Sequence, residues 1–298
     1  MAYGHHHHGH DHSDSSKNIG IALLLNLSFA IFELFIAYWT NSLSVLSNSL
    51  HDFGDTFSLG LSYFFDKVSQ RERTSTFSYG FKRFSIIPVV VNSLILLVGS
   101  LFILYEAVTR IISPQAVKTD GMIAFALLGM VVNFIAFIRL RSGKTLNEKA
   151  ASLHLLDDVL GLFAVLVGSV VMKFFDVPIL DPILSLLITL FVLSKLVQNL
   201  KSANAIFLQS VPDGVDITQL EVLLKKLEHV VSVHDIHAWS LDGIHHVLTL
   251  HLVIENGLSL RDAELVKGEA RKVIERLGIG HPTIEIESEN EHCHLVGC

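Results

Sequence analysis

The run IIPVVVNSLILLVGSLFILYEA, residues 86–107, is 22 residues long and almost wholly apolar. A helix needs about 20 such residues to cross roughly 30 Å of hydrocarbon, and in lipid a helix satisfies its own backbone hydrogen bonds. Working outward, comparable runs occupy Ile19 to Trp39, Val45 to Phe65, Met122 to Leu140, Leu153 to Phe175 and Ile179 to Leu200. Six spans are therefore expected. Half of the 298 residues are hydrophobic and only 17% are charged, a membrane composition.

After Gln209 the character changes. From Ser210 onward there are 15 acidic and 7 basic residues, against 14 and 15 before it, so the net charge of −7 belongs to the tail. Periodicity there predicts a helix from Asp216 to about Glu228 and strands over Val230 to Trp239 and His245 to Ile254. A helix from Leu260 to Leu277 and a strand near Thr283 to Ser288 follow. The expected fold is an all-α six-helix transmembrane bundle over residues 18–209 with a small C-terminal α/β domain, αββαβ in order, over 210–298. A His-rich leader, residues 1–17, precedes them.

Lys and Arg concentrate in cytoplasmic loops. Lys67, Arg71, Arg73, Lys82 and Arg83 follow the second run, and Arg139, Arg141, Lys144 and Lys149 follow the fourth; the opposite loops have only Arg110, Lys118 and Lys173. Both termini are thus expected in the cytoplasm. No signal peptide precedes Ile19, and Cys293 and Cys298 are compatible with a reducing compartment.

Of 17 histidines, only His51 and His154 fall within the expected spans, and each is followed four residues later by an aspartate, Asp55 in SLHDFGD and Asp158 in SLHLLDD. Residues four apart stack on one helix face, so two such helices would present two imidazoles and two carboxylates to one ion. That set suits tetrahedral zinc and also cobalt, nickel, ferrous iron and, less well, cadmium. The competing reading is a pair of hydrogen bonds gluing helices together; the same spacing occurring twice disfavours it. Asp52 and Asp157 flank the pairs, as groups that orient the histidines or as acids facing a wet vestibule.

These pairs, the FSYGFKR segment at 77–83, the Asp181-Pro182 step and the tail segment HDIHAWSL at 234–241 together resemble the cation diffusion facilitator family over nearly the whole chain. The resemblance implies proton-coupled export of zinc and related metals from the cytoplasm, by a homodimer in a bacterial cytoplasmic membrane, with a C-terminal domain similar to small metallochaperones. It places the transport site on His51, Asp55, His154 and Asp158. Certain relatives have a further site in the loop after the second span. Thr74 to Phe81 contains neither histidine nor aspartate, so no metal site is expected there.

In the tail, His234 and His237, then His251, then Glu287 lie on three successive strands that one sheet would gather. The family's tail zinc sites map onto His234 or His237, His251 and Glu287. The ending EHCHLVGC adds His292, Cys293, His294 and Cys298, as further soft ligands or as an incidental terminus. The leader HHHHGHDH either collects metal or is a cloning tag.

No HExxH motif or set of histidine boxes marks a membrane metalloenzyme, and four protein ligands leave no position for a catalytic water, so an enzyme is not expected. Nor is nucleic acid expected as a partner; the partners are the metal ion, protons, lipid and a second copy. The alternative is a membrane-anchored metal sensor without transport.

Overall fold

The computed structural model describes the backbone of residues 12–141 and 146–291, with side chains except those of 12–23, 25, 140, 146–151 and 154. The leader residues 1–11 and Cys293, with the rest of the chain after Glu291, lie outside the described residues. Six long helices come first: α1 (His12–Thr40), α2 (Leu43–Ser69), α3 (Ile87–Ile112, entered through a 3-10 turn at Lys82–Ile86), α4 (Thr119–Arg141), α5 (Leu146–Phe175) and α6 (Leu180–Phe207). The tail follows as α7 (Ile217–Leu224), β1 (Val230–Ser240), β2 (His246–Ile254), α8 (Leu260–Arg276) and β3 (His281–Ser288). The fold is the expected helical bundle with a small αββαβ domain.

Among the described residues, four helices are long and apolar enough to cross a membrane: Lys82–Ile112, Thr119–Arg139, Leu155–Phe175 and Leu180–Phe207. Helix α2 falls short for a physical reason. Ser44, Ser47, Asn48, His51, Asp52, Asp55, Ser58 and Ser62 form a polar stripe along it, and the inner part of that stripe is turned into the bundle. Where helices must stop, the chain takes left-handed geometry: Asn41 between α1 and α2, Asp176 after α5 and Gln209 after α6.

The chain divides into two compact units, Met1–Tyr63 with Pro88–Asn199, and Phe64–Ile87 with Leu200–Cys298. In the first, Ala37 of α1, Val45 of α2, Met122, Phe125 and Ala126 of α4, and Leu162, Val165 and Met172 of α5 make an apolar core. The outward faces carry exposed apolar residues such as Val98, Tyr105, Leu160 and Phe174, as lipid contact requires.

In the second unit the sheet runs β1-β2-β3, with β2 antiparallel to β1 and parallel to β3. The parallel return needs a crossover, which α8 supplies. One sheet face, with Val233, Leu248, Leu250, Leu252 and Ile284, packs on Leu220 and Leu224 of α7 and Val266, Ala270 and Ile274 of α8. Helix α7 stops at Leu224, short of the expected Glu228, where the chain tightens into turns closed by Lys226 N–H to Leu223 and Leu227 N–H to Leu224 carbonyl bonds, and His229, with φ 64°, leads into β1.

Candidate metal centres

The transmembrane candidate is held by its neighbours from three sides. Ser42 caps α2: its Oγ accepts the Val45 N–H at 3.2 Å and donates to Asp181 of α6 at 2.6 Å. One turn on, Ser47 and Thr189 of α6 share a hydrogen bond of 2.8 Å. On α5, a Cβ added at Gly161 would stand 2.9 Å from Asn48 Oδ1, so glycine permits the close approach of α5 to α2 just before the His51 turn. A Cβ at Gly54 would meet Leu96 of α3 at 2.7 Å, which fixes the opposite side of the helix.

Within this frame His51 Nε2 lies 3.6 Å from Asp55 Oδ2, as the four-residue spacing requires. Asn92 of α3 donates to Asp55 Oδ1 at 3.4 Å. Asp55 and Asp158, the carboxylates of the two motifs, line one cavity of about 580 Å³ together with Glu33 and Asp52. His51 and Asp55 also line a second cavity, about 260 Å³, with Asn92, Lys195 and Asn199. His154 stands on α5 one turn before Asp158; its side chain lies outside the described residues.

The flanking acids have partners of their own. Asp157 pairs with Lys195 of α6, and Asp52 accepts from Asn48 at 3.1 Å. Glu33 of α1 is fully buried, and neither of its oxygens has a donor among the described residues. Its carboxyl faces the same cavity as Asp52 and Asp158. Two carboxylates so placed repel unless a proton or a cation lies between them. Histidine spacing gives no sign of Glu33 and Lys195; each is an ionisable residue within an apolar run, and that signal alone marks it.

The cytoplasmic-domain candidate is built by a β-bulge. His234 pairs with His251 and His237 with Thr249, so Asp235 and Ile236 together oppose one residue of β2, and Asp235 takes φ 50°. The extra residue keeps His234 and His237 on the sheet face of Thr249 and His251, away from the apolar face. Parallel pairing places Glu285 opposite His251 and Glu287 opposite Val253 on that same face.

Ligand atoms of His234, His251 and Glu287 all lie within 4.8 Å of one another. His251 Nδ1 is 2.5 Å from Glu287 Oε1, and His234 Nε2 is 3.3 Å from Glu287 Oε2. Tetrahedral bonds of about 2.1 Å set ligand atoms roughly 3.4 Å apart, so the second spacing suits a shared ion and the first needs to open. Asp235 Oδ2 stands 3.5 Å from His251 Nε2, making Asp235 a fourth side chain at the edge of the group. His237 is not among them; its Nε2 is bonded to Asp235 at 2.9 Å.

The model of the cation efflux transmembrane domain matches residues 19–208, and that of the cation efflux protein cytoplasmic domain matches residues 212–289. The chain belongs to the cation diffusion facilitator family. It is similar to the metal cation efflux system protein CzcD of Cupriavidus metallidurans, 31% identical over 267 residues, 89% of this chain and 84% of the relative. It is also similar to the cadmium, cobalt and zinc/H(+)-K(+) antiporter of Bacillus subtilis, 29% identical over 275 residues, 91% of this chain and 88% of the relative. The zinc transporter ZitB of Escherichia coli is 29% identical over 275 residues, 90% of this chain and 87% of the relative. As a cation diffusion facilitator the chain is a multi-pass membrane protein that moves metal cations, and it is not an enzyme.

Proposed function

We propose that this chain exports a divalent transition-metal ion, zinc foremost, in exchange for protons, through His51, Asp55, His154 and Asp158. The observation that carries this reading is the cavity of about 580 Å³ that Asp55 of α2 and Asp158 of α5 both line, with His51 paired to Asp55. Two imidazoles and two carboxylates match the donor preference of zinc. Relatives named for zinc, cadmium and cobalt support the cargo class, and a relative named as an H(+)-coupled antiporter supports the exchange.

The chemistry follows from the donors. Metal needs neutral imidazole and ionised carboxylate, so loading from the cytoplasm releases protons from these groups. Once the bundle opens to the other side, protons from there compete for the same atoms and free the ion. Imidazole serves because its ordinary pKa of about 6.5 lets modest pH differences change its occupancy. The basic connections after α2 and α4 favour an orientation with both termini in the cytoplasm of a bacterial cell, and the matching cytoplasmic domain supports a homodimer. In that domain His234, His251 and Glu287 would hold a regulatory ion that draws two acidic tails together.

Zinc flux into proteoliposomes under an imposed pH gradient tests the assignment. Asp55→Ala and His154→Ala are each expected to abolish proton-driven flux; unimpaired flux in either sinks it. Absence of flux in the wild-type chain with metal still bound to the tail would favour the membrane-anchored sensor instead.

A further inference from the structure

The connection from α2 to α3 is strongly basic and is folded into a definite turn. Phe77 carbonyl accepts from the Thr74 N–H at 3.1 Å and from the Gly80 N–H at 2.9 Å, while Thr74 Oγ1 accepts from the Phe77 N–H at 3.1 Å. Gly80 has φ 73°, and a Cβ added there would lie 3.4 Å from the Arg71 carbonyl oxygen. The Ser78–Gly80 strip is thereby laid back on Arg71–Arg73. Tyr79 meets His281 at the start of β3 edge-on, with ring centroids 5.7 Å apart.

Between this turn and the β-domain, within one compact unit, is a cavity of about 580 Å³. Arg71, Arg73, Lys82, Tyr79, His246 and His281 stand on its walls. Glu72 is the single acidic residue among the lining side chains. Among the described residues none of the three fixed cations has an ion pair or a side-chain hydrogen bond, whereas His245, also at the wall, is held by Asp242 at 2.7 Å. The ring Nδ1 of His246 is buried and has no partner. Three uncompensated cations and an unused imidazole nitrogen make a receptor for an anion, and the sign of the charge opposes a metal ion there.

Position selects the anion. Lys82 is the first residue of the apolar span Lys82–Ile112, and α2 ends at Ser69, so the connection joins two helix ends where hydrocarbon gives way to headgroups. Basic pockets at this depth bind acidic lipid headgroups. We propose that this cavity holds the phosphate headgroup of an anionic phospholipid, with Arg71, Arg73 and Lys82 as its charge partners and His246 and Tyr79 as further hydrogen-bond donors. A lipid so held bridges the membrane-end turn and the β-domain.

The test is native mass spectrometry of the full chain released from vesicles of phosphatidylcholine with or without phosphatidylglycerol. Each basic residue near the surface contributes about fivefold in affinity, so R71Q/R73Q/K82Q is expected to lose phosphatidylglycerol by on the order of a hundredfold. R139Q on α4, outside the cavity, serves as the control and is expected to retain it. Equal retention by the triple variant, or equal loss by R139Q, overturns the proposal. So does displacement of the lipid by millimolar inorganic phosphate, which would assign the pocket to a solution anion. Should the triple variant not fold, R73Q alone poses the same question, with about fivefold weaker retention expected and none overturning it.

Discussion

Asp181→Asn is the most telling single substitution outside the metal donors. The carboxylate is fully buried at the first turn of α6. Its Oδ1 accepts from Ser42 Oγ and Ser44 Oγ, each at 2.6 Å, and from Ser44 N at 3.2 Å, while Oδ2 accepts from Leu43 N at 2.6 Å. It thereby satisfies orphan donors at the start of α2 and sets a negative charge at that helix's positive end. The amide is nearly the same shape, but its NH2 must replace one oxygen. If it faces Leu43, a buried N–H loses its acceptor, costing about 1–3 kcal/mol, and the remaining bonds fall from charged to neutral strength. With the lost charge at the helix end the sum is roughly 3–5 kcal/mol. At about 2–4 °C per kcal/mol, melting of the purified chain should fall by roughly 6–20 °C. Thermal melting in detergent, followed by tryptophan fluorescence, reads this directly, and metal flux should fail at temperatures where the wild type still works. A variant melting within about 2 °C of the wild type would refute the clamp.

His251→Ala should weaken zinc binding to the tail by more than about 100-fold, beyond what losing an outer partner costs, while His237→Ala should leave it nearly intact; equilibrium dialysis of the full chain carrying Asp55→Ala separates them. In a chain with Cys293 and Cys298 replaced by serine, Ser62→Cys on the cavity wall should react with a water-soluble thiol reagent. Ser47→Cys, buried against Thr189, should resist it, and equal reactivity would contradict the cavity's placement. Burial raises the Asp242 carboxyl pKa, but bonds from the His245 and Ile244 N–H groups and the His245 ring outweigh it and hold the pKa below its ordinary 3.8. A depressed folded value contributes stability that is present above about pH 4 and lost as pH falls through the folded pKa. Asp242→Asn should therefore melt lower than the wild type at neutral pH, by about 1 kcal/mol of lost hydrogen bonding, with the two curves converging in strong acid.

Helices were legible because lipid imposes one rule on long apolar runs, and the tail's order because strand and helix periods differ. The paired His-x-x-x-Asp motifs were legible because a four-residue spacing fixes one helix face whatever the packing. What could not be read is whatever depends on which helix lies beside which. Asp181 reaches the start of α2 across 139 residues of chain, and Lys195 finds Asp157 on α5. Choosing between His234 and His237 was likewise out of reach, since three residues of separation predict opposite faces in a regular strand. The bulge at Asp235 puts both on one face, and only cross-strand register then decides which meets His251.

The polar ties of α2 are unevenly distributed, and this bears on how such a bundle could reorient. Before the site, Ser42, Ser44 and Ser47 bind α6, and Asn48 abuts Gly161 of α5. Beyond Asp55, side chains of 56–69 make no hydrogen bond to α5 or α6 among the described residues, and Thr56, Ser58 and Ser62 line the larger cavity, where water can serve polar groups. One end of the site is tied by hydrogen bonds and the other opens on the cavity. Breaking a clamp worth roughly 3–5 kcal/mol in every cycle would confine the opposite state to less than about 1% of the population. A reorientation that keeps α2 and α6 joined avoids that cost. The start of α4 is tied to α1, by the bond from the Lys118 N–H just before it to the Thr40 carbonyl and by Trp39 packed over Gly121. The contact of α4 with α2 and α5 centres on the apolar cluster of Val45, Phe125 and Leu162, and the exposed Lys173–Asp120 ion pair, 2.5 Å, joins it to α5 at one end.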